Sequence, residues 1–270
     1  MVKAIVAGAA GRMGKKVIGM ICQSEGITLA GAFEHPENPF VNKDAGQIAG
    51  LGDTGIKIAG ALEDILDQGE VIIDFTLPEA TMQNIRIASS GGLSMVIGTT
   101  GFTSENLLEI RERTKTIPCV MAPNMSVGIN VMFRIAAEMA KFLGEDYDME
   151  ILEVHHRLKR DAPSGTALRL AAILAECRGR DLEKVAVYER KGVPGQRTDE
   201  EIGIQALRAG DITGDHTLMF GGIGERLELI HRAHSRDNFA RGAIRAAKWV
   251  MDQPAGLYDM QDVLGLKRQA

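Results

Sequence analysis

The chain has 270 residues, 45% of them hydrophobic, which is enough material for one large core or two modest ones, and two domains are expected. Its formal net charge of −5 is spread without long single-sign blocks, leaving no electrostatic footprint for nucleic acid or for an anionic membrane surface. The three cysteines, Cys22, Cys119 and Cys177, lie far apart and form no C-x-x-C pair, no secretory leader pattern opens the chain, and nowhere do eighteen apolar residues run together. These features argue against a disulfide framework, a cysteine zinc site, secretion and a membrane span, so a reducing cytoplasm is the expected location.

In chain order, Val2–Ala7 reads as a buried strand, and Arg12–Gln23 as a helix with Met13, Val17, Ile18 and Ile21 at helical spacing. Strand-like runs recur at Ile27–Phe33, Val71–Phe75, Met95–Ile97 and Pro118–Ala122, with helical patterns over Glu79–Ser89 and Ser104–Lys115. This alternation is the signature of βαβ units around a parallel sheet. Pro123-Asn124-Met125-Ser126 punctuates the chain before a long helical pattern from Val127 to Leu143. From Met149 the rhythm changes to longer strand-like stretches with one helix, Ala167–Cys177, which predicts a second, smaller α+β domain. Thr217–Ile223 and Arg226–His231 pattern as an antiparallel pair, Gly192–Gly203 as a mobile polar loop, and Asn238–Met251 as a last amphipathic helix with an Asp-Asn start able to cap it.

Between the first strand and the first helix stands Gly8-Ala9-Ala10-Gly11-Arg12-Met13-Gly14. In such a turn the first glycine permits the tight bend, the second a close backbone approach to phosphate, and the third close packing of helix on sheet, while the helix N-terminal amides face the anion. The spacing departs from the usual G-x-G-x-x-G, so a ligand-free turn is the alternative. Glu34, just beyond the second strand, suits an adenosine ribose or is an ordinary solvated carboxylate. Phe75-Thr76 and Gly98-Thr99-Thr100-Gly101 fall at the carboxyl ends of predicted strands, where open α/β sheets bind ligands, and suit a nicotinamide ribose.

Residues 153–167, Glu-Val-His-His-Arg-Leu-Lys-Arg-Asp-Ala-Pro-Ser-Gly-Thr-Ala, concentrate reactive groups. Met149–Val154 patterns as a strand, which sends His155, His156 and Lys159 into the loop beyond it. Histidine exchanges protons near neutral pH, and the Lys159 amine pairs with a carboxylate or, when desolvated, gives up its proton. Pro163-Ser164-Gly165-Thr166 is built for a helix start, whose unpartnered amides can receive a substrate carboxylate or whose hydroxyls merely cap the helix. A metal held by His155, His156, His231 and His234 is disfavoured, because adjacent strand residues face opposite ways and no H-E-x-x-H or cysteine partner supports it. No metal is therefore expected.

Through Gly8–Gly14, Asp74-Phe-Thr76, Val96-Ile-Gly-Thr-Thr-Gly-Phe102, Asn124-Met-Ser-Val-Gly128, Glu153 to Ala167 and Gly224-Glu-Arg-Leu-Glu228, the sequence resembles the 4-hydroxy-tetrahydrodipicolinate reductase (dihydrodipicolinate reductase) family nearly end to end. The His-His, Lys, Asp-Ala-Pro-Ser-Gly-Thr-Ala string is the specific part of that resemblance. It implies an α/β chain with a Rossmann-like dinucleotide domain, 1–126 completed by 237–270, and a substrate-binding and oligomerisation domain, 127–236, whose sheet builds a homotetramer. By position, His155 is implied as the catalytic acid/base and Lys159 as the proton donor, with His156, Ser164, Gly165 and Thr166 holding substrate carboxylates. Gly8, Ala9, Ala10, Gly11, Arg12, Met13, Glu34, Gly98, Thr99, Thr100, Ala122, Pro123, Asn124 and Met125 are implied to line the cofactor. The implied reaction, in lysine and diaminopimelate biosynthesis, reduces a cyclic unsaturated imine dicarboxylate with NAD(P)H. Many members carry arginine after the acid corresponding to Glu34. Here His35-Pro36 follows it, so NADH is expected, with NADPH as a second cofactor. Another Rossmann-type amino- or semialdehyde-directed dehydrogenase, and a non-catalytic nicotinamide-sensing regulator, are the rival readings. A regulator would carry a basic or helix-turn-helix segment, which is not seen.

Overall fold

The computed structural model describes residues 1–267; the last residues of the expected C-terminal segment, 268–270, lie outside the described residues. The chain opens with Val2–Ala7 (β1), Arg12–Cys22 (α1) and Ile27–Phe33 (β2), then a short helix, Ala45–Ala49 (α2), and a two-residue strand, Ile58–Ala59 (β3). Val71–Asp74 (β4), Pro78–Gly91 (α3), Ser94–Ile97 (β5), Ser104–Arg113 (α4) and Pro118–Met121 (β6) follow. Next come Val127–Leu143 (α5), Asp148–His155 (β7), Gly165–Cys177 (α6), Leu182–Val185 (α7), Ala186–Val187 (β8), Ile202–Arg208 (β9), Gly214–Gly222 (β10) and Glu225–Ala233 (β11). Asp237–Val250 (α8), Gly256–Tyr258 (β12) and Met260–Val263 (α9) complete the chain. The elements form two compact units, one of Met1–Val127 with the segment from Arg236 onward, the other of Gly128–Ser235.

The first unit is Rossmann-like. Its seven-stranded sheet has the order β12-β6-β5-β4-β1-β2-β3, with every pairing parallel. Strand β1 explains why both faces must be covered: Ala4 and Val6 enter one core with residues of α1 and α8, while Ile5 and Ala7 enter the opposite core with residues of α3 and α4. Strand order reverses between β1 and β4, so the carboxyl ends of these two strands form the switch point at which doubly wound sheets take their ligands.

In the second unit the sheet order is β11-β10-β7-β9-β8, with β10 antiparallel to both neighbours and β7, β9 and β8 mutually parallel. On its inner face Met149, Ile151, Ile202, Ile204, Leu218 and Phe220 form one core with α5 and α6.

Several boundaries differ from expectation. Strand β7 runs on to His155, so this imidazole projects from a strand and not from the following loop. Strand β10 begins three residues before Thr217, at Gly214. The stretch expected as a mobile loop ends in β9, and Arg197 fastens it by donating to Asp148 at 2.7 Å and to the Glu201 carbonyl at 2.5 Å. Helix α8 is not capped by the Asp-Asn pair: Arg236 stands at the N-cap without a side-chain bond, and the Asn238 Oδ1 accepts from the adjacent Phe239 N–H.

Candidate active site

The glycine turn lies at the switch point of the first unit. Gly8 adopts φ +63°, and a Cβ placed on Gly14 would sit 2.1 Å from the Gly8 carbonyl oxygen, so α1 can start this close to β1 only because Gly14 has no side chain. Gly11 is the N-cap of α1, offers no side-chain cap, and is followed by no acidic residue in the first turn. The amides of that turn are thus left to an external anion. Glu34 follows β2 directly, and one of its carboxylate oxygens accepts from the Ala10 N–H at 2.9 Å, tying the acid to the turn. His35 is exposed beside it.

Across the switch point, the ends of β4 and β5 are organised by Asp74, a fully buried carboxylate. It accepts from the Thr76 N–H (2.8 Å), the Thr76 hydroxyl (2.7 Å) and Asn84 Nδ2 (2.8 Å), while Thr81 links Thr76 and Thr99 into the same network. Phe75 lies over Gly98 so closely that a Cβ there would be 2.1 Å from the ring. Thr99 is buried and Thr100 exposed. Beyond β6, Ala122 and Met125 are buried, Pro123 is exposed, and Asn124 Oδ1 accepts from the Ser126 N–H at 2.9 Å. Arg12 is exposed and Met13 half-buried at the head of α1.

The second unit holds its polar groups at one end of the inner sheet face. Strand alternation places Met149, Ile151, Glu153 and His155 on that face, the first pair apolar and the second polar. Register then sets Arg208 of β9 beside His155, and His216 of β10 beside Glu153. Glu153 Oε2 lies 2.5 Å from His155 Nδ1 and accepts from Arg208 Nη1 at 2.8 Å. Its Oε1 accepts from Arg208 Nη2 at 2.8 Å and from the Ser164 N–H at 3.0 Å. Burial alone would raise this carboxyl, but the bonds from His155 and Arg208 outweigh it and hold Glu153 at about 2. The ring of His155 meets that of His216 edge to face, centroids 5.2 Å apart. Burial first, then the facing His155, pushes His216 down to about 3, so His216 is a neutral ring at physiological pH.

Ser164 is the N-cap of α6, where its hydroxyl accepts from the Ala167 N–H at 3.2 Å and lies 3.1 Å from His216 Nε2. Its hydroxyl and its N–H are therefore both engaged within the protein. Gly165 is exposed at the first helical position, with nothing within 4 Å of where a Cβ would stand, and Thr166 is half-buried after it. His156 is half-buried, and its carbonyl accepts from the Lys159 N–H at 3.1 Å, closing a turn. The Lys159 Nζ pairs with both Asp161 oxygens at 2.8 and 2.9 Å, and Arg208 Nη2 donates to the Asp161 carbonyl at 2.6 Å. One guanidinium thus joins Glu153 to the lysine turn. Residue-by-residue reading gave no role to Arg208 and His216, and Glu153 entered only as the end of a motif. The available signal was the period-2 pattern, which places an acid and an imidazole on a face otherwise filled by Met149 and Ile151.

A parallel sheet with an uncapped glycine turn at its switch point, joined in one chain to a sheet bearing a buried imidazole–carboxylate–guanidinium cluster, describes a nicotinamide-dinucleotide-dependent reductase. Comparison with known proteins gives the family: residues 2–125 match the dihydrodipicolinate reductase N-terminus model and residues 128–264 the dihydrodipicolinate reductase C-terminus model. The chain is 56% identical over 267 residues to the 4-hydroxy-tetrahydrodipicolinate reductase of Syntrophus aciditrophicus, covering 99% of this chain and 100% of that one. It is 54% identical to the same enzyme of Syntrophobacter fumaroxidans, with the same coverage. The dipicolinate-bound dihydrodipicolinate reductase from Paenisporosarcina sp. TG-14 superposes with a TM-score of 0.75 at 25% identity, covering 97% of this chain and 98% of that one. An amine dehydrogenase from Mycobacterium smegmatis, at 15% identity and TM-score 0.61, shares the fold over 99% of this chain and 97% of its own. The chain belongs to the dihydrodipicolinate reductase family.

Proposed function

We propose that the chain reduces 4-hydroxy-tetrahydrodipicolinate to tetrahydrodipicolinate, with His155 as acid/base and Lys159 as proton donor. The observation that carries this reading is the joining of an imidazole, an amine and a helix start through Glu153 and Arg208 at one end of a sheet. The full-length similarity to enzymes of that name supports the substrate.

The first unit fits a dinucleotide: Gly14 lets α1 start against the Gly8 carbonyl, the first turn of α1 has no side-chain cap and no acidic residue, and Glu34 stands just beyond β2. Gly8 to Met13 would hold the pyrophosphate, Glu34 the adenosine ribose, and Gly98 to Thr100 with Ala122 to Met125 the nicotinamide end. When bound, the cofactor supplies a hydride. On the second unit, Gly165 and Thr166 at the start of α6, with His156, would receive the carboxylates of a cyclic dicarboxylate. Ser164 holds that start in place from beneath. Loss of the 4-hydroxyl as water turns the substrate into the cyclic unsaturated imine; hydride addition at C4 then leaves an enamine to be protonated. The Lys159 ammonium and the His155 ring offset negative charge and deliver that proton. NADH is the preferred cofactor, because no cation follows Glu34 to pair with a 2′-phosphate, and NADPH is accepted less well. The chain works in the cytoplasm as a homotetramer; the exposed apolar side chains on the outer face of the second sheet support the assembly. Among the described residues no helix is long and apolar enough to cross a membrane.

The test couples the purified protein to enzymatically generated 4-hydroxy-tetrahydrodipicolinate and follows NADH and NADPH oxidation separately. Both should be consumed, NADH with the higher kcat/KM; consumption of neither overturns the assignment. In the same assay Lys159→Ala should lower kcat by about 100-fold while the NADH dissociation constant is unchanged, since it removes a proton donor and not a dinucleotide contact. Near-normal turnover would remove Lys159 from its role. His35→Arg should tighten NADPH binding by about ten-fold through a charge-assisted bond to the 2′-phosphate, read from the two cofactors' KM values. An unmoved NADPH/NADH ratio would place the selection elsewhere.

A further inference from the structure

We infer that Glu153, clamped by Arg208, is a positioning residue for the reduction: a single buried carboxylate fixes the ring of His155 and, through Arg208, the turn that carries Lys159. The inference rests on the proposed reaction, and the tautomer measurement below keeps its failure distinct from that of the reaction.

Glu153 lies on a sheet face whose other members on β7, Met149 and Ile151, are apolar core. A fully buried carboxylate there is costly to desolvate, and an apolar side chain of similar volume would serve stability as well or better. The site keeps the charge and surrounds both carboxylate oxygens with donors. Four donors converge on its two oxygens: His155 Nδ1, Arg208 Nη1 and Nη2, and the Ser164 N–H. They come from three parts of the site: the end of β7, β9 and the start of α6.

The carboxylate has no proton to give at neutral pH, so Nδ1 of His155 must be the donor in their 2.5 Å contact. The tautomer follows: Nε2 is left to exchange a proton with substrate, and among the described residues Nε2 makes no hydrogen bond. Arg208 then carries the same constraint outward. Its Nη2 reaches the Asp161 carbonyl at 2.6 Å, and the Asp161 carboxylate holds the Lys159 ammonium at 2.8 Å. The Ser164 N–H, at 3.0 Å, ties the start of α6 to the other side of Glu153. Imidazole, amine and helix start are thereby held in mutual register by one group that meets no substrate. Side chains held this way lose little freedom on reaching the reactive geometry. Glu153 and His216 face His155 directly, and Arg208 stands opposite it on β9.

The test uses full-length protein with ¹⁵N-labelled histidine, the His155 signals being assigned by their loss in His155→Asn. Native protein should show His155 protonated at Nδ1 whether or not it turns over. Glu153→Gln turns an amide N–H₂ against Arg208 or His155 and should abolish the single tautomer. It should also lower kcat by about 30- to 100-fold, with KM for NADH and for substrate within about three-fold. Arg208→Gln keeps the carboxylate and releases the clamp; it should lower kcat by about ten-fold and leave NADH binding intact, which covers the case of a Glu153 variant that does not fold. A native protein with His155 protonated at Nε2 alone, a folded Glu153→Gln with native kcat, or an Arg208→Gln with native kcat would each overturn the positioning role.

Discussion

His216 shows how a buried histidine can be kept out of proton traffic. Its ring is 3% exposed, bonded at Nε2 to Ser164 and faced by His155, and Nδ1 has no hydrogen-bond partner. Burial pushes it from 6.5 down to about 3, so the folded chain leaves it neutral where the unfolded chain protonates it. The sign follows from linkage. Below pH 6.5 the unfolded state binds a proton that the folded state does not, so this contribution is complete above pH 6.5 and is lost as pH falls toward 3. Glu153 has the same sign in a lower window, below its ordinary 4.5, since it is held at about 2. Between pH 6.5 and 4.5 the two are therefore separable. Urea denaturation across that window should show native stability falling with pH more steeply than that of His216→Gln, by up to about 1.4 kcal/mol per pH unit, the slope of one proton. Equal slopes would mean that His216 is protonated in the folded protein.

Individual elements differed in how plainly the sequence announced them. β1, the glycine turn and α1 were legible because each step obeys a local rule: an apolar run, a backbone that excludes side chains, then apolar residues at helical spacing. The string from His155 to Thr166 was equally plain as a concentration of reactive groups. What escaped was non-local. Arg208 lies 55 residues from Glu153 and meets it through sheet register, and His216 lies 52 residues from Ser164 and meets it where α6 starts beside the sheet. β9 was hidden in part because Gly203, a poor strand former, lies near its start. The structure supplies the reason for that glycine: a Cβ there would fall 1.8 Å from Glu150 Oε2, the carboxylate that Arg190 grips at 2.8 Å. The short α2, β3 and β12 are fixed by parallel pairing and caps such as Asp44, and are too brief to show a period.

At the scale of the molecule, the second unit covers only one face of its sheet. α5 and α6 share a core with the inner face, whereas the outer face presents Leu152, Leu207 and Ile230 at 37%, 51% and 45% exposure. Leu152, Thr217 and Ile230 stand in one row across β7, β10 and β11, and Met219 lies on the same face two residues along β10. Exposed apolar side chains on a sheet face are costly in water, and a face shared by two copies under two-fold symmetry would cover them, which suits the proposed homotetramer. The proposal predicts that the native protein sediments as four chains of 29.2 kDa. Leu152→Glu combined with Ile230→Glu places like charges in that row, leaves the inner core untouched, and should give dimers or monomers that retain the native circular dichroism spectrum. Area buried between subunits stabilises each of them, so the melting temperature of the variant should fall, and a monomeric variant should lose the dependence on protein concentration that the assembly confers. A monomeric native protein, or a doubly charged variant that still sediments as a tetramer, would move the assembly surface away from this face.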